Sequence, residues 1–363
     1  MNLHREALVF DAHTDVPTRL WEEPADLSRR LTDRHIDLLR LREGGVDALV
    51  WALYVPASLN AERGWAHAQE LYRLSTEALI PGQLVQVATA EDVQRAVWRG
   101  EVAVVFGLEN GRPLTVPGAL DDCAGFGVRY VTLTHWASHE WCDASTDAPI
   151  HGGLSAEGEE IVHRMSRLGI LPDVSHVSDA AVLHVLDVAR GPVIASHSSA
   201  RALCDQPRNL PDDLIREIGR KGGLVMANSY PAFVGPEAAR ADTRRGQEIK
   251  PELQETEEEY LLNPRKLWKE RARLLQDRAL PKVPLSLFVD HLIHFLNLVG
   301  EEHVGIGTDF DGIPDVLEGL EDVSKFPDLT AALLDRGVDP EGVKLILGGN
   351  FLRVLREAER VAG

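Results

Sequence analysis

The chain has 363 residues, of which 44% are hydrophobic, and a formal net charge of −19. This length can bury a sizeable core, and the acidic balance argues against nucleic acid or an anionic membrane as a partner. No apolar run approaches the ~18 residues of a membrane-spanning helix, and the N-terminal stretch MNLHREALVFDAHTD lacks the apolar region of a signal peptide. Three scattered cysteines without C-x-x-C spacing fit a reducing compartment, so we expect a cytoplasmic protein.

Eight short apolar runs alternate with longer amphipathic stretches along the chain. The runs are rich in β-branched residues and cover 7–13, 46–55, 102–109, 128–135, 169–176, 192–197, 223–230 and 303–309. Helical periodicity between them is clearest at 66–79, 91–99, 155–168, 178–190 and 211–220. Eight strand–helix repeats predict an α/β fold, a TIM-type (β/α)8 barrel in a single domain over 1–363. A doubly wound open sheet is the alternative, but no glycine-rich nucleotide loop follows the first run.

The connection between the seventh and eighth runs is the longest in the chain. Its segment 236–284 is charged and helix-prone, which predicts a long helical excursion beside the barrel mouth before the last strand. After the eighth run, three further segments have helical periodicity and predict extra C-terminal helices at 328–336, 340–347 and 350–361.

Side chains with catalytic or metal-binding chemistry follow seven of the eight runs. The first run leads into His13 and Asp15, which are two residues apart and therefore share one face of an extended strand. The later runs contribute the rest of this set, which is Glu109, His135, His176, His197, Tyr230 and Asp309. Active sites of such barrels form at the carboxyl ends of the strands, where a purely structural barrel needs no such groups. Imidazole and carboxylate suit zinc, so the pattern predicts a metal site.

This set is larger than one zinc ion needs, because catalytic zinc takes about three protein ligands. Two metal ions bridged by a carboxylate and a hydroxide would use the set efficiently. Glu109, which ends the third run, is the natural bridging carboxylate. Manganese, cobalt or iron could occupy the same nitrogen and oxygen ligands, so the residues do not fix the metal.

Several longer motifs resemble the membrane (renal) dipeptidase family, a branch of the metal-dependent amidohydrolases. The matching stretches run from residue 11 to about 355 and read DAHTD, GLEN, LTH, DVSHVSD, SHSSAR, RNLPDD, GTDFDG, GLEDVSKFPDLTAALLDRG and GNFLRVL. The resemblance implies two zinc ions. His13, Asp15 and Glu109 would hold one of them, and Glu109, His176 and His197 the other.

The resemblance also implies roles for residues outside the ligand set. His135 would bind the scissile carbonyl as its oxygen becomes an oxyanion, and Asp309 would carry a proton from the bridging water to the leaving amine. Arg208 would hold the terminal carboxylate of the substrate, with Arg201 as the weaker candidate. Tyr230 could contact the same carboxylate, and its alternative is a packing role.

The expected activity is hydrolysis of dipeptides, including L-Xaa-D-Xaa members, by a hydroxide that bridges two zinc ions. Small dipeptides are the expected partners, and the resemblance is compatible with a homodimer. One alternative is an amidohydrolase of the same fold that acts on another carboxylate-bearing amide or ester, such as an N-acyl amino acid or a β-lactam. A non-catalytic metal-binding scaffold is the other alternative, although every position of the motif pattern is filled.

Overall fold

The computed structural model describes residues 2–260 and 263–363. Its described part contains nine strands: β1 (Phe10–Thr14), β2 (Ala48–Tyr54), β3 (Leu84–Gln86), β4 (Val102–Glu109), β5 (Val128–Thr132), β6 (Leu171–Asp173), β7 (Ile194–Ala195), β8 (Leu224–Ala227) and β9 (Val304–Ile306). Eight of them pair in parallel in the order β1-β2-β4-β5-β6-β7-β8-β9, and β3 pairs with the start of β4. All eight predicted strands are therefore present, and the short β3 was not predicted.

Backbone hydrogen bonds join the two ends of this strand order. Asp309 N–H donates to the His13 carbonyl at 3.0 Å, and Asp15 N–H donates to the Phe310 carbonyl at 2.9 Å. The sheet is thus a nearly closed barrel of eight parallel strands, which confirms the predicted fold.

Helices surround the barrel and follow most strands. They are α1 (Asn2–Glu6), α2 (Val16–Glu22), α3 (Leu38–Gly44), α4 (Ala61–Ala78), α5 (Ala90–Trp98), α6 (Ala119–Gly125), α7 (Ala156–Arg167), α8 (Asp179–Val188), α9 (Asp212–Arg220), α10 (Pro231–Val234), α11 (Pro236–Glu259), α12 (Pro264–Gln276), α13 (Leu285–Val299), α14 (Phe326–Asp335), α15 (Pro340–Lys344) and α16 (Asn350–Ala362). Short 3-10 turns lie at Arg112–Thr115, Glu301–His303 and Val323–Lys325, and a wide turn at Leu345–Gly349 leads into α16. The predicted excursion corresponds to α11 and α12, and the predicted C-terminal helices to α14–α16.

The strands are buried on both faces, as expected of a covered parallel sheet. In β2, Trp51 belongs to the larger core cluster that faces the helices, whereas Val50 belongs to a second cluster that includes residues of α16. The ring of Phe351 in α16 meets that of Phe10 edge-on, with ring centroids 4.6 Å apart. Since Phe10 begins β1, α16 covers the amino ends of the strands, and the carboxyl ends are left for a site.

Candidate metal centre and active site

The five predicted metal ligands converge at the carboxyl ends of the strands. His13 lies in β1, Asp15 just beyond it, and Glu109 is the last residue of β4. His176 follows β6 by three residues and His197 follows β7 by two. All five side chains are buried, so the barrel gathers them in a site away from bulk solvent.

Glu109 lies between two groups of ligands, and its two carboxylate oxygens face different groups. Oε2 is 3.6 Å from His13 Nε2, which is also 3.7 Å from Asp15 Oδ2. Oε1 is 3.3 Å from His176 Nε2 and 3.5 Å from His197 Nε2. This division matches the ligand sets implied by the family resemblance.

These separations fit a metal centre. Zinc bonds of about 2.0–2.1 Å in a tetrahedron put neighbouring ligand atoms roughly 3.3 Å apart. His176 Nε2 and His197 Nε2 lie 3.0 Å from each other, close to that spacing. His13 Nε2 is buried with no hydrogen-bond partner among the described residues. A divalent cation on each side of Glu109 would accept the lone pairs of the histidines and neutralise the negative charge of the carboxylates. The residues present therefore fit two such ions.

Hydrogen bonds from surrounding residues fix the tautomer of His13, one of the predicted metal ligands. His13 Nδ1 lies 2.7 Å from the Tyr130 hydroxyl, which donates to the Ala12 carbonyl at 3.1 Å. Because that phenol proton is engaged, His13 Nδ1 carries a hydrogen toward the Tyr130 oxygen, and Nε2 keeps its lone pair for a metal.

His197 is oriented by a different chain of contacts. Its Nδ1 lies 2.7 Å from Ser196 Oγ, and that hydroxyl donates to Asp173 Oδ2 at 2.6 Å. The same Asp173 oxygen accepts a hydrogen bond from the Thr132 hydroxyl at 2.5 Å. Thr132 ends β5, Asp173 ends β6 and Ser196 follows β7, so Asp173 links the carboxyl ends of these three strands. His197 Nε2 is left as an acceptor directed at Glu109.

Burial moves the pKa values of three histidines in the direction that metal binding needs, and those of the nearby carboxylates in the opposite direction. It lowers the pKa of His135, His176 and His197 well below the usual value, and the charge of Arg208 lowers each further. Neutral imidazole is the form that ligates metals. Burial raises the pKa of Glu109, that of Asp15 to about 6 and that of Asp309 to about 7. A cation among these carboxylates would oppose that rise.

Several strand-end residues adopt the left-handed backbone conformation without being glycine. The φ angles are 76° at Asn110, 68° at His176 and 67° at Asp309. Such a conformation costs roughly 1–2 kcal/mol for an L-residue, so it persists only where surrounding contacts hold it. Asn110 donates to the Val55 carbonyl at 2.9 Å, and Asp309 accepts from Asn228 at 2.9 Å. Two of these three residues, His176 and Asp309, line the cavity over the ligand cluster, whereas Asn110 bonds to the backbone beside it.

His135 and Asp309 flank the ligand cluster. His135 Nε2 lies 3.7 Å from Glu109 Oε1, slightly farther than the two ligand histidines, and the Tyr54 ring packs edge-on against it with centroids 4.6 Å apart. Asp309 Oδ1 is 4.0 Å from His13 Nε2. Its side chain is 16% exposed, compared with 7% for Asp15 and 4% for Glu109, so Asp309 is the most accessible of the three carboxylates.

Arg208 is buried beside the cluster. Its guanidinium donates to the His197 carbonyl at 3.2 Å and to Ser198 Oγ at 3.4 Å, and it lies over the Phe233 ring. Its Nε is buried with no partner among the described residues. Burial lowers the pKa of Arg208 to about 10, which leaves it cationic at neutral pH. The competing candidate Arg201 is instead engaged with Asp179 at 2.6 Å.

The hydroxyl of Tyr230 is directed at the helical excursion. It donates to Asp242 Oδ1 at 3.0 Å and accepts from Arg245 Nη2 at 2.5 Å. Arg245 also pairs with Asp315 at 2.6 Å, so Tyr230 anchors the start of α11. The residue still lines the cavity, but this bonding accounts for its hydroxyl without a substrate.

A cavity of about 390 Å³ opens over the cluster. Its base is formed by Asp15, Glu109, His135, His176 and Asp309, and its walls include Trp136 and residues of α2, α11 and α12. The site is therefore large enough for a small-molecule substrate and is covered by the helical excursion.

The family model described as membrane dipeptidase, peptidase family M19, matches residues 1–363. The chain belongs to this family of metallo-dipeptidases. The M19 chain is 34% identical over 340 residues to dipeptidase tcpJ of Claviceps purpurea, covering 90% of this chain and 70% of that protein. It is 32% identical to dipeptidase verJ of Clonostachys rogersoniana, covering 100% and 87% of the two chains.

Solved structures agree with this membership. The probable dipeptidase PvdM of Pseudomonas aeruginosa superposes on the M19 chain with a TM-score of 0.83 at 26% identity, covering 99% of this chain and 97% of that one. In the described part of the M19 chain, no helix combines the length and apolar character that a membrane crossing needs.

Sequence reasoning missed the residues that support the ligands, chiefly Tyr130, Asp173 and Ser196. Tyr130 lies within an apolar run and resembles an ordinary core residue. Asp173 is an acid inside a buried strand, and that unusual placement was the available signal.

Proposed function

We propose that this chain is a dipeptidase that holds two zinc ions, bridged by Glu109, and hydrolyses the peptide bond of small dipeptides. The division of the two Glu109 oxygens between two ligand groups is the observation that carries the proposal. When bound, the two ions would supply a water of near-neutral pKa and polarise the scissile carbonyl.

The residues around the cluster supply the rest of the chemistry. His135, neutral and at the base of the cavity, would donate a hydrogen bond to the carbonyl oxygen as negative charge develops there. Asp309, held by Asn228 and the most accessible carboxylate, would accept a proton at its carboxylate and pass it to the leaving amine. Arg208 would pair with the terminal carboxylate of the dipeptide through its planar guanidinium.

We extend the proposal to dipeptides with a D-residue at the C-terminal position, on the strength of the family resemblance. We also propose a cytoplasmic location, supported by three buried free thiols, Cys123, Cys142 and Cys204. Formation of a homodimer stays a prediction, which light scattering on the purified protein can check.

The deciding experiment is turnover of a dipeptide library, with L-Xaa-D-Xaa members, by zinc-loaded protein and ninhydrin detection of released amino acids. We expect chelation to abolish cleavage. Asp309→Asn should keep two metals per chain and lose roughly 10²–10⁴-fold in kcat. Glu109→Gln should lose metal itself, so unchanged zinc content in that variant would refute the bridging role.

Failure to cleave any dipeptide, with two metals per chain measured, would refute the dipeptidase proposal. The activity would then have to be sought among other carboxylate-bearing amides or esters. Matched dipeptides with free and amidated C-termini test Arg208 separately, because only the free acid can pair with its guanidinium.

A further inference from the structure

The short helix α10 and the helical excursion contribute apolar side chains to the wall of the cavity. Phe233 of α10, Ile249 of α11 and Leu275 of α12 all line it. Phe233 and Ile249 are buried and Leu275 is half-buried, so the surrounding protein holds each of these side chains in place. Apolar groups that line a cavity beside a catalytic centre favour an apolar part of the substrate.

The cavity-lining residues of α11 share one face of the helix, because their positions are three or four apart. They are Asp242, Gly246, Ile249 and Leu253. The carboxylate of Asp242 accepts hydrogen bonds from Tyr230 at 3.0 Å and from Arg245 at 2.6 Å. The charge at the start of this face is therefore paired, and the three residues that follow are apolar.

Gly246 leaves an open space on this face of α11. A Cβ added at Gly246 would meet no described atom within 4 Å, apart from the nearby backbone of its own helix. Glycine is one of the least favourable residues in a helix interior, and Gly246 lies well inside the 24 residues of α11. The helix thus has no side chain at a position where the cavity has room for one.

Phe233 connects this face to Arg208. The centre of its ring lies 5.3 Å from the Arg208 guanidinium and 5.0 Å from the centre of the Tyr230 ring. Arg245 of α11 donates to the Tyr230 hydroxyl at 2.5 Å and to the Leu275 carbonyl at 3.3 Å. A continuous series of contacts therefore runs from Arg208 through α10 to α11 and α12.

The proposed role of Arg208 places one side chain of a dipeptide on this wall. The terminal carboxylate and the side chain of the C-terminal residue are attached to the same carbon atom. When the carboxylate pairs with Arg208 and the peptide bond lies over the metal ligands, that side chain stays close to Arg208. Phe233 both contacts Arg208 and lines the cavity, so it lies where this side chain would be.

We propose that Phe233, Gly246, Ile249 and Leu275 form the subsite for the side chain of the C-terminal residue, and that this subsite takes a large apolar side chain such as that of leucine or phenylalanine. The proposal rests on the dipeptidase function and on the role of Arg208 proposed above. It makes Gly246 a specificity-determining residue, because a side chain at this position would occupy the subsite.

The test measures kcat/KM of zinc-loaded protein for Ala-Ala, Ala-Leu and Ala-Phe, with the C-terminal residue in the configuration that the library shows to be cleaved. Leu-Ala and Phe-Ala report on the N-terminal position. Gly246→Leu fills the subsite, and Leu275→Ala removes part of its wall. Glu248→Leu is the matched control, because Glu248 is exposed and lies about 200° around the same helix from Gly246. Zinc content and urea unfolding are measured for each variant.

We expect wild type to prefer Ala-Leu over Ala-Ala by roughly ten- to sixtyfold. Each buried methylene is worth about fourfold, and leucine has three more carbon atoms than alanine. Gly246→Leu should abolish or reverse this preference, Leu275→Ala should reduce it severalfold, and Glu248→Leu should keep it. The zinc content of all three variants should equal that of wild type, since none of these residues touches the ligand cluster.

A wild-type ratio of one or less would overturn the inference, as would a ratio that either subsite variant leaves unchanged. A preference for leucine or phenylalanine that is confined to Leu-Ala and Phe-Ala would also overturn it, because the apolar wall would then serve the N-terminal residue. Absence of cleavage of all these dipeptides and of the wider library would instead refute the dipeptidase function.

Discussion

Replacement of Tyr130 by phenylalanine isolates the support of one metal ligand. Tyr130 is fully buried, and its hydroxyl bonds to His13 Nδ1 and to the Ala12 carbonyl. Tyr130→Phe keeps the ring but leaves these two buried polar groups without a partner, at about 1–3 kcal/mol for each group. Loss of a second-sphere partner also typically weakens metal binding 10–100-fold. We therefore expect lower stability and a weakened His13 metal position.

The weakening should be selective, because His197 is oriented through Ser196 and does not depend on Tyr130. Calorimetric titration of metal-free protein with zinc should show one site weakened and one close to wild type, and urea unfolding should give the stability loss. Tyr72→Phe is the control, since the hydroxyl of Tyr72 makes a long 3.5 Å contact to Gln86 away from the site. Two unchanged zinc affinities in Tyr130→Phe would refute the assigned role of the phenol.

Three further changes test the surrounding structure. A Cβ added at Gly107 would lie 2.7 Å from the ring of Tyr130, so Gly107→Ala should displace the phenol, cost about 1–3 kcal/mol and reproduce the selective zinc loss in the same titration. Ser196→Ala should weaken instead the zinc position that contains His197, and an effect confined to the other position would contradict the assignment. Burial raises the pKa of Asp47 from 3.8 to about 6, so its carboxylate costs stability as pH rises through that range. Asp47→Asn, which keeps an oxygen for the backbone N–H, should gain about 1–3 kcal/mol in denaturant unfolding at pH 7 and nothing near pH 4.

The location of the site was predictable from sequence because parallel strands bring their carboxyl ends to one side of a barrel. His13, His176 and His197 each follow an apolar run, and this topology alone is enough to gather them. The sequence could not show which Glu109 oxygen faces which histidine, since that depends on side-chain rotamers. It also could not separate Tyr130 from the surrounding core, because an aromatic residue in a buried strand is ordinary.

Elements outside the strand–helix repeat were less accessible to sequence reasoning. The strand β3 is only three residues long and carries no distinct periodicity. Tyr230 ends an apolar run like the ligands do, but its hydroxyl contacts the excursion, whose path depends on tertiary packing.

The junction between β1 and β9 has a consequence for synthesis of the protein. Asp11 accepts hydrogen bonds from the backbone and hydroxyl of Thr308, almost 300 positions later in the chain, and Asp309 reaches His13 across the same seam. A nascent chain can form most of the barrel while this seam is still open. Closure of the barrel beside His13 must therefore wait until residues 304–309 have been synthesised, so the two ends of the strand order can join only late in translation.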